Sequence, residues 1–366
     1  MAHKFRMVFA AALFLGSAIQ SATAAFIQEP LGIPISASVS LEALLVRPGE
    51  PGRYPLALIT HGSPRTTTDR PNMTPLAMLP QALEFARRGW AAVVVMRQGY
   101  GASGGGWAET YGTCADPDYV AAGTAGATDL RMAAKFLARR PDIDGSHTIA
   151  VGVSAGGFAT VALTADPPAG LVAAINFAGG RGSLEDFQTC REDRLVEAYR
   201  VFGTRSRIPM LWVYAENDHF FGPKLAQEFR KVFVGGGGIV DFVAAPAFGA
   251  DGHGLFSASG ISVWSGSVDA FLKQQNLVMR TTPLPIPQPA LTAPKILSDN
   301  GRKAFAAYLI EPPHKAFVLS ADGHFGWRSG QRTIEAAKAG ALKLCQQGGE
   351  TCAVGFVDDA VAQSKN

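Results

Sequence analysis

The sequence predicts an α/β protein: a mostly parallel sheet with helices on both faces, followed by a small C-terminal α+β module. Three observations predict it. Across residues 37–273 short apolar runs alternate with helical patterns. The helices between the runs are long enough to carry the chain back over a sheet, as parallel neighbours require. Of 366 residues, 47% are apolar and 17% charged, which fills a large core and excludes a disordered chain.

Taken in order, residues 39–46 alternate at period two and 56–60 form a compact apolar run. Helical spacing over 76–88 leads into 91–96, whose β-branched residues suit a central strand. A helix over 124–139 precedes a strand at 147–153, a small-residue helix at 155–164 and a strand at 171–177. Helix 193–202, strand 210–214, helix 224–233, strand 239–244 and helix 261–273 complete the series. The composition then shifts. Pro283, Pro285, Pro287, Pro289 and Pro294 predict an extended spacer over 280–297. Beyond it, 304–310 and 316–320 are expected as two strands, 333–346 as an Ala-rich helix and 352–357 as a third strand. The expected division is a large domain at 25–279, the linker at 280–297 and a module at 298–366.

Residues 1–24 are expected to be a signal peptide: Lys4 and Arg6 precede an apolar stretch that ends in Ala22-Thr23-Ala24. That stretch is shorter than the roughly 20 residues needed to span a bilayer, and no other segment is long and apolar enough. The expectation is a soluble exported protein, periplasmic or secreted. Lys and Arg number 33 against 30 Asp and Glu, so no nucleic-acid partner is implied. Export makes the four cysteines candidates for disulfides. Cys345 and Cys352 are close in sequence and pair, which leaves Cys114 with Cys190.

The informative motif is Gly152-Val153-Ser154-Ala155-Gly156, between a predicted buried strand and a small-residue helix. That setting places a serine on a strained strand-to-helix turn, with Gly152 and Gly156 allowing close backbone approach. A serine hydroxyl needs a base, and the base needs an orienting acid, in the chain order Ser, acid, His. Asp218 follows strand 210–214 and His253 follows strand 239–244, so both fall on loops at the edge where Ser154 emerges. Glu216 is the rival acid, closer to its strand. His219, His147 and Asp251 are read as loop or turn residues, and His61 as a structural hydrogen-bonder. His314 and His324 belong to the C-terminal module. The oxyanion donors expected are the N–H of Ala155 and that of Ser63 in His61-Gly62-Ser63-Pro64, since Pro64 has no N–H.

Together with Arg97-Gln98-Gly99-Tyr100-Gly101-Ala102-Ser103-Gly104, these motifs resemble the α/β-hydrolase superfamily, in its dienelactone-hydrolase-like and prolyl-oligopeptidase-like esterase branch. The resemblance spans residues 31–275. It implies an α/β-hydrolase fold, a Ser154–Asp218–His253 triad, and neither cofactor nor metal. Dienelactone hydrolases carry a cysteine nucleophile where this elbow has serine, which argues against dienelactone as substrate.

Two loops are expected to set substrate choice, 98–122 with Tyr100, Trp107, Tyr111 and Tyr119, and 179–209, stapled by Cys114–Cys190. The aromatics either line a pocket or pack the loop on itself. The expected activity is hydrolysis of a small-molecule carboxylic ester through an acyl-enzyme. Amide or peptide cleavage with the same machinery is the alternative, and a non-catalytic binding protein on this scaffold is a third reading. The C-terminal module resembles small exported accessory modules and is assigned to stability or to contact with an envelope component or protein.

Overall fold

The computed structural model describes residues 25–348 and 351–362. The expected signal peptide at 1–24 lies outside them. The main sheet is built from β1 (Phe26–Pro34), β2 (Ser40–Pro48), β3 (Tyr54–Thr60), β4 (Ala91–Val95), β5 (Ile143–Val153), β6 (Leu171–Phe177), β9 (Pro209–Ala215) and β10 (Ile239–Ala245). Its spatial order is β1-β2-β4-β3-β5-β6-β9-β10. β2 runs antiparallel to β1 and β4, and every pairing from β4 to β10 is parallel. Between β6 and β9 a small hairpin, β7 (Ser183–Glu185) and β8 (Gln188–Thr189), projects from the sheet's edge.

Six helices cover this sheet: α1 (Leu79–Arg87), α2 (Tyr119–Leu137), α3 (Ala155–Ala165), α4 (Glu192–Arg205), α5 (Pro223–Gly235) and α6 (Ile261–Gln274). The period-two geometry of a strand divides its side chains between two cores. β3 sends Leu56 and Leu58 to the core that includes Leu130, Phe158 and Phe229 of α2, α3 and α5. Its Ala57 and Ile59 go to the opposite core, with Phe85 of α1 and Trp264 and Phe271 of α6. A sheet buried on both faces explains the unbroken apolar run of β4, in which all five residues are buried.

Several boundaries differ from expectation for local reasons. The helix expected at 124 begins at Tyr119, because Asp118 caps it by accepting the N–H of Ala121 at 2.8 Å. The segment expected as helix from 76 opens as a 3₁₀ turn, Pro75–Met78, before α1. β1 was not expected. It carries two prolines and lies at the sheet's edge, where a missing donor is tolerated.

The C-terminal unit contains α7 (Asp299–Ile310), β11 (Ala316–Ser320), β12 (Phe325–Arg328), α8 (Ile334–Cys345), β13 (Cys352–Val357) and β14 (Ala360–Val361), with the antiparallel order β12-β11-β13-β14. The strand expected at 304–310 is instead the second half of α7. Ser298 caps that helix by accepting the N–H of Gly301 at 3.2 Å, and Phe305 and Tyr308, three residues apart, bury one face of it against Phe317. Cys345 is bonded to Cys352, and Cys114 to Cys190.

The proline-rich stretch between the two units has neither helix nor strand. It is nonetheless fastened to the main sheet's helical layer: the Leu284 N–H donates to the Arg87 carbonyl, and Arg87 Nε donates to the Leu284 carbonyl, each at 2.9 Å. Among the described residues no helix is long and apolar enough to cross a membrane.

Candidate active site

β5 ends at Val153 and α3 starts at Ala155, so Ser154 alone makes the turn, at φ 55° and ψ −124°. A non-glycine residue at positive φ is strained by about 1–3 kcal/mol and persists only when its surroundings hold it. Here the Ser154 N–H donates to the Phe177 carbonyl at 2.9 Å, and its carbonyl accepts the N–H groups of Phe158 and Gly180. The flanking glycines are sterically required. A Cβ on Gly152 would overlap the carbonyl of Gly156, and one on Gly156 would overlap the carbonyls of His61 and Thr60. Gly62 is less crowded, since a Cβ there would lie 3.0 Å from that of Ser154.

Asp218 and His253 meet on the loops after β9 and β10. His253 Nδ1 donates to Asp218 Oδ2 at 3.0 Å, with Oδ1 at 3.2 Å. Asp218 is buried, and its Oδ1 also accepts the N–H groups of Phe220 at 2.7 Å and Phe221 at 2.9 Å. Asp251 shapes the turn by accepting the N–H groups of His253 and His219 on one oxygen. Phe220 stacks on the His253 imidazole at 3.9 Å between centroids, and Phe221 meets it edge-on. Glu216, the rival acid, makes no contact with the imidazole. His219 is instead held by Asp186 at 3.1 Å.

Ser154, Ala155 and Ser63 open on one cleft of about 270 Å³, which is also lined by Phe220 and Phe221, the two rings against His253. Among the described residues the His253 imidazole is bonded to Asp218, and no hydrogen bond joins it to the Ser154 hydroxyl. The N–H of Ala155 has no intrahelical acceptor because it is the first residue of α3.

Beneath the cleft lies a buried ionic group. Glu109 is paired with Arg97 and, at 2.8 Å, with Arg181. Burial pushes its pKa up, but the two guanidinium groups outweigh burial and hold it at about 2. Tyr100 reaches both Glu109 Oε2, at 3.1 Å, and the Ser63 hydroxyl, at 2.9 Å. His61 is neutral, its pKa lowered well below the usual value by burial and by neighbouring Arg97. Its Nδ1–H donates to the Gly62 carbonyl, and its Nε2 accepts the N–H of Arg97 at 3.1 Å. Both ring nitrogens are occupied, which leaves His61 shaping the loop that carries Ser63.

Of the loop aromatics, Trp107 and Tyr111 line the cleft, whereas Tyr100 and Tyr119 are buried as packing. The Cys114–Cys190 bond joins the segment carrying Tyr111 to the one carrying Arg181. Sequence reasoning missed Arg65, Arg70 and Arg181, which face the same cleft. Arg65 and Arg70 sit within seven residues of Ser63, so their spacing was a usable signal.

The fold, with its antiparallel strand next to the β1 edge and a serine turn after the fifth strand, superposes on a solved structure. A provisionally assigned dipeptidyl aminopeptidase IV from Bacteroides ovatus ATCC 8483 superposes with a TM-score of 0.51 at 14% identity, over 68% of this chain and 36% of that one. The chain has the α/β-hydrolase fold. Within this fold, the model of the X-Pro dipeptidyl-peptidase (S15) family matches residues 37–207. That match contains the elbow and stops short of Asp218 and His253. Two further similar structures are the esterase Est2 of the Planctomycetes species Thermogutta terrifontis (TM-score 0.48, 18% identity, 69% of this chain and 96% of that one) and the acylaminoacyl peptidase of Pyrococcus horikoshii (0.49, 16%, 70% and 43%). No curated protein matches the α/β-hydrolase sequence.

Proposed function

We propose that this α/β-hydrolase is an exported carboxylic ester hydrolase acting through an acyl-enzyme on Ser154, with residues 25–279 as catalytic domain, 280–297 as linker and 298–366 as accessory unit. Ser154 Oγ attacks the ester carbonyl while His253 Nε2 takes its proton, and Asp218 fixes the ring with Nδ1–H toward itself. The oxyanion receives the N–H groups of Ala155 and Ser63. Collapse expels the alcohol, which takes the proton back from His253. Water, deprotonated by the same imidazole, then releases the carboxylic acid and restores Ser154. The observation that carries this reading is the shared cleft: the elbow serine, two backbone donors and the rings enclosing an Asp-held imidazole converge on one cavity.

The S15 family match favours a second reading, removal of N-terminal dipeptides. The lining argues against it. A peptide N-terminus is an ammonium group and needs carboxylates, yet among the described residues no Asp or Glu lines the cleft and three arginines do. Export is supported by the two disulfides, which persist in oxidising compartments.

Labelling with a neutral fluorophosphonate tests the reading. Wild-type protein is expected to label and Ser154→Ala to remain unlabelled. A wild-type protein that resists labelling and hydrolyses no ester would overturn it.

A further inference from the structure

The three arginines of the cleft are not equivalent. Arg65 is paired with Asp186 at 2.8 Å, and Arg181 with Glu109 at the same distance. Arg70, on the 3₁₀ turn Thr67–Asn72, has no such partner among the described residues: no carboxylate pairs with it, and its guanidinium donates to no protein acceptor. Its Nε is fully buried without an acceptor. The guanidinium carbon lies 3.5 Å from the centroid of Trp107, so the indole supports the planar face. Such stacking fixes the plane and leaves the edge to a ligand, an arrangement suited to a bidentate carboxylate.

The turn beneath Arg70 is held from two sides. The Arg70 carbonyl accepts the Gly101 N–H at 2.9 Å. Arg332, from the C-terminal unit, donates to the Met73 carbonyl and grips both oxygens of Glu42, at 2.8 and 3.1 Å, while Glu42 also accepts the Ala102 N–H at 2.7 Å. The cation is therefore placed before any ligand arrives. A half-buried charge without a counter-ion is costly, and an arriving anion offsets that cost.

We propose that Arg70 recognises an anionic group of the substrate, so that the natural ester carries a carboxylate beside the scissile bond. This deepens the ester-hydrolase reading and rests on it. The carboxylate belongs either to the acyl part, as in a half-ester of a dicarboxylic acid, or to the alcohol part, as in an ester of a hydroxy acid.

Two matched pairs of substrates, given to the full-length protein, separate these sources: mono-4-nitrophenyl glutarate against 4-nitrophenyl valerate, and 4-(carboxymethyl)phenyl acetate against its methyl ester. In wild type at least one anionic member is expected to exceed its neutral partner at least tenfold in kcat/KM, mainly through KM, and the pair that does so identifies the side. Arg70→Gln is expected to shrink that ratio at least tenfold. Arg70→Glu is expected to turn the preference toward esters bearing an ammonium group, a gain that misfolding cannot imitate. Ser154-dependent hydrolysis with ratios near one in both pairs, or a preference unmoved by Arg70→Gln, overturns the proposal and leaves the hydrolase reading intact. Absence of both ester turnover and fluorophosphonate labelling overturns the hydrolase reading and this proposal with it.

Discussion

Asp218 and His253 sit on loops after neighbouring parallel strands, and their side chains meet at 3.0 Å with the carboxylate already fixed by the N–H groups of Phe220 and Phe221. The carboxylate is thus held by its own loop as well as by the imidazole. Asp218→Asn keeps the shape and removes the charge, and it permits the wrong imidazole tautomer. Steady-state kinetics on an activated aryl ester is expected to show a loss in kcat on the order of 10³-fold or more. A rate within threefold of wild type would mean that another group is the acid.

Gly156 in the elbow and Gly62 beside it are tight to different degrees: a Cβ on Gly156 would overlap two backbone carbonyls, and one on Gly62 would lie 3.0 Å from the Ser154 Cβ. Gly156→Ala is expected to destabilise the fold, because its methyl group meets two backbone carbonyls that cannot step aside. Gly62→Ala meets only the Ser154 Cβ at the limit of contact, so its melting temperature should move less while kcat falls. Thermal unfolding alongside turnover separates the two effects, and an equal drop in stability for both variants would contradict it.

Glu109 couples stability to pH. Its carboxyl titrates near 2 in the folded chain against 4.5 ordinarily, so the native state favours the ionised form. Its contribution is present above about pH 4.5 and is lost as pH falls from there toward 2. Urea unfolding between pH 2.5 and 6 is expected to give a stability difference between wild type and Glu109→Gln that is largest at the high end and narrows on acidification. A constant difference would refute the assignment.

The Cys114–Cys190 bond closes a long loop, with a sequence separation of 76. Replacing both cysteines by serine is expected to cost about 4 kcal/mol on a chain-entropy basis. It should also raise KM more than it lowers kcat, because the segments it joins line the cleft and neither cysteine sits on a loop that carries Ser154, Asp218 or His253. Denaturant titration and ester kinetics on the double variant check both effects.

What could be read from the sequence divides along physical lines. Residues 171–177, 316–320 and 352–357 were legible as strands because each is a short apolar run with turn residues at both ends. Residues 304–310 looked the same, but the cap that makes them helical, Ser298, lies outside the run. The elbow and the order of Asp218 and His253 are local motifs in sequence order, so they too were legible. The charge state of the cleft was not. It depends on Arg65 finding Asp186 across 121 residues and on Arg70 finding no such partner, which no local pattern encodes.

Gly101 adopts φ 58°, and a Cβ there would lie 2.8 Å from both an Arg332 nitrogen and the Met73 oxygen. Two stretches of polypeptide more than two hundred residues apart therefore share a single pocket of space. An engineer who shortens the gene to drop the distal unit vacates that space and loosens the turn bearing Arg70. One who adds a methyl group at position 101 must first evict the guanidinium. Either edit, made far from the serine, disturbs the seat of a guanidinium that lines the cleft.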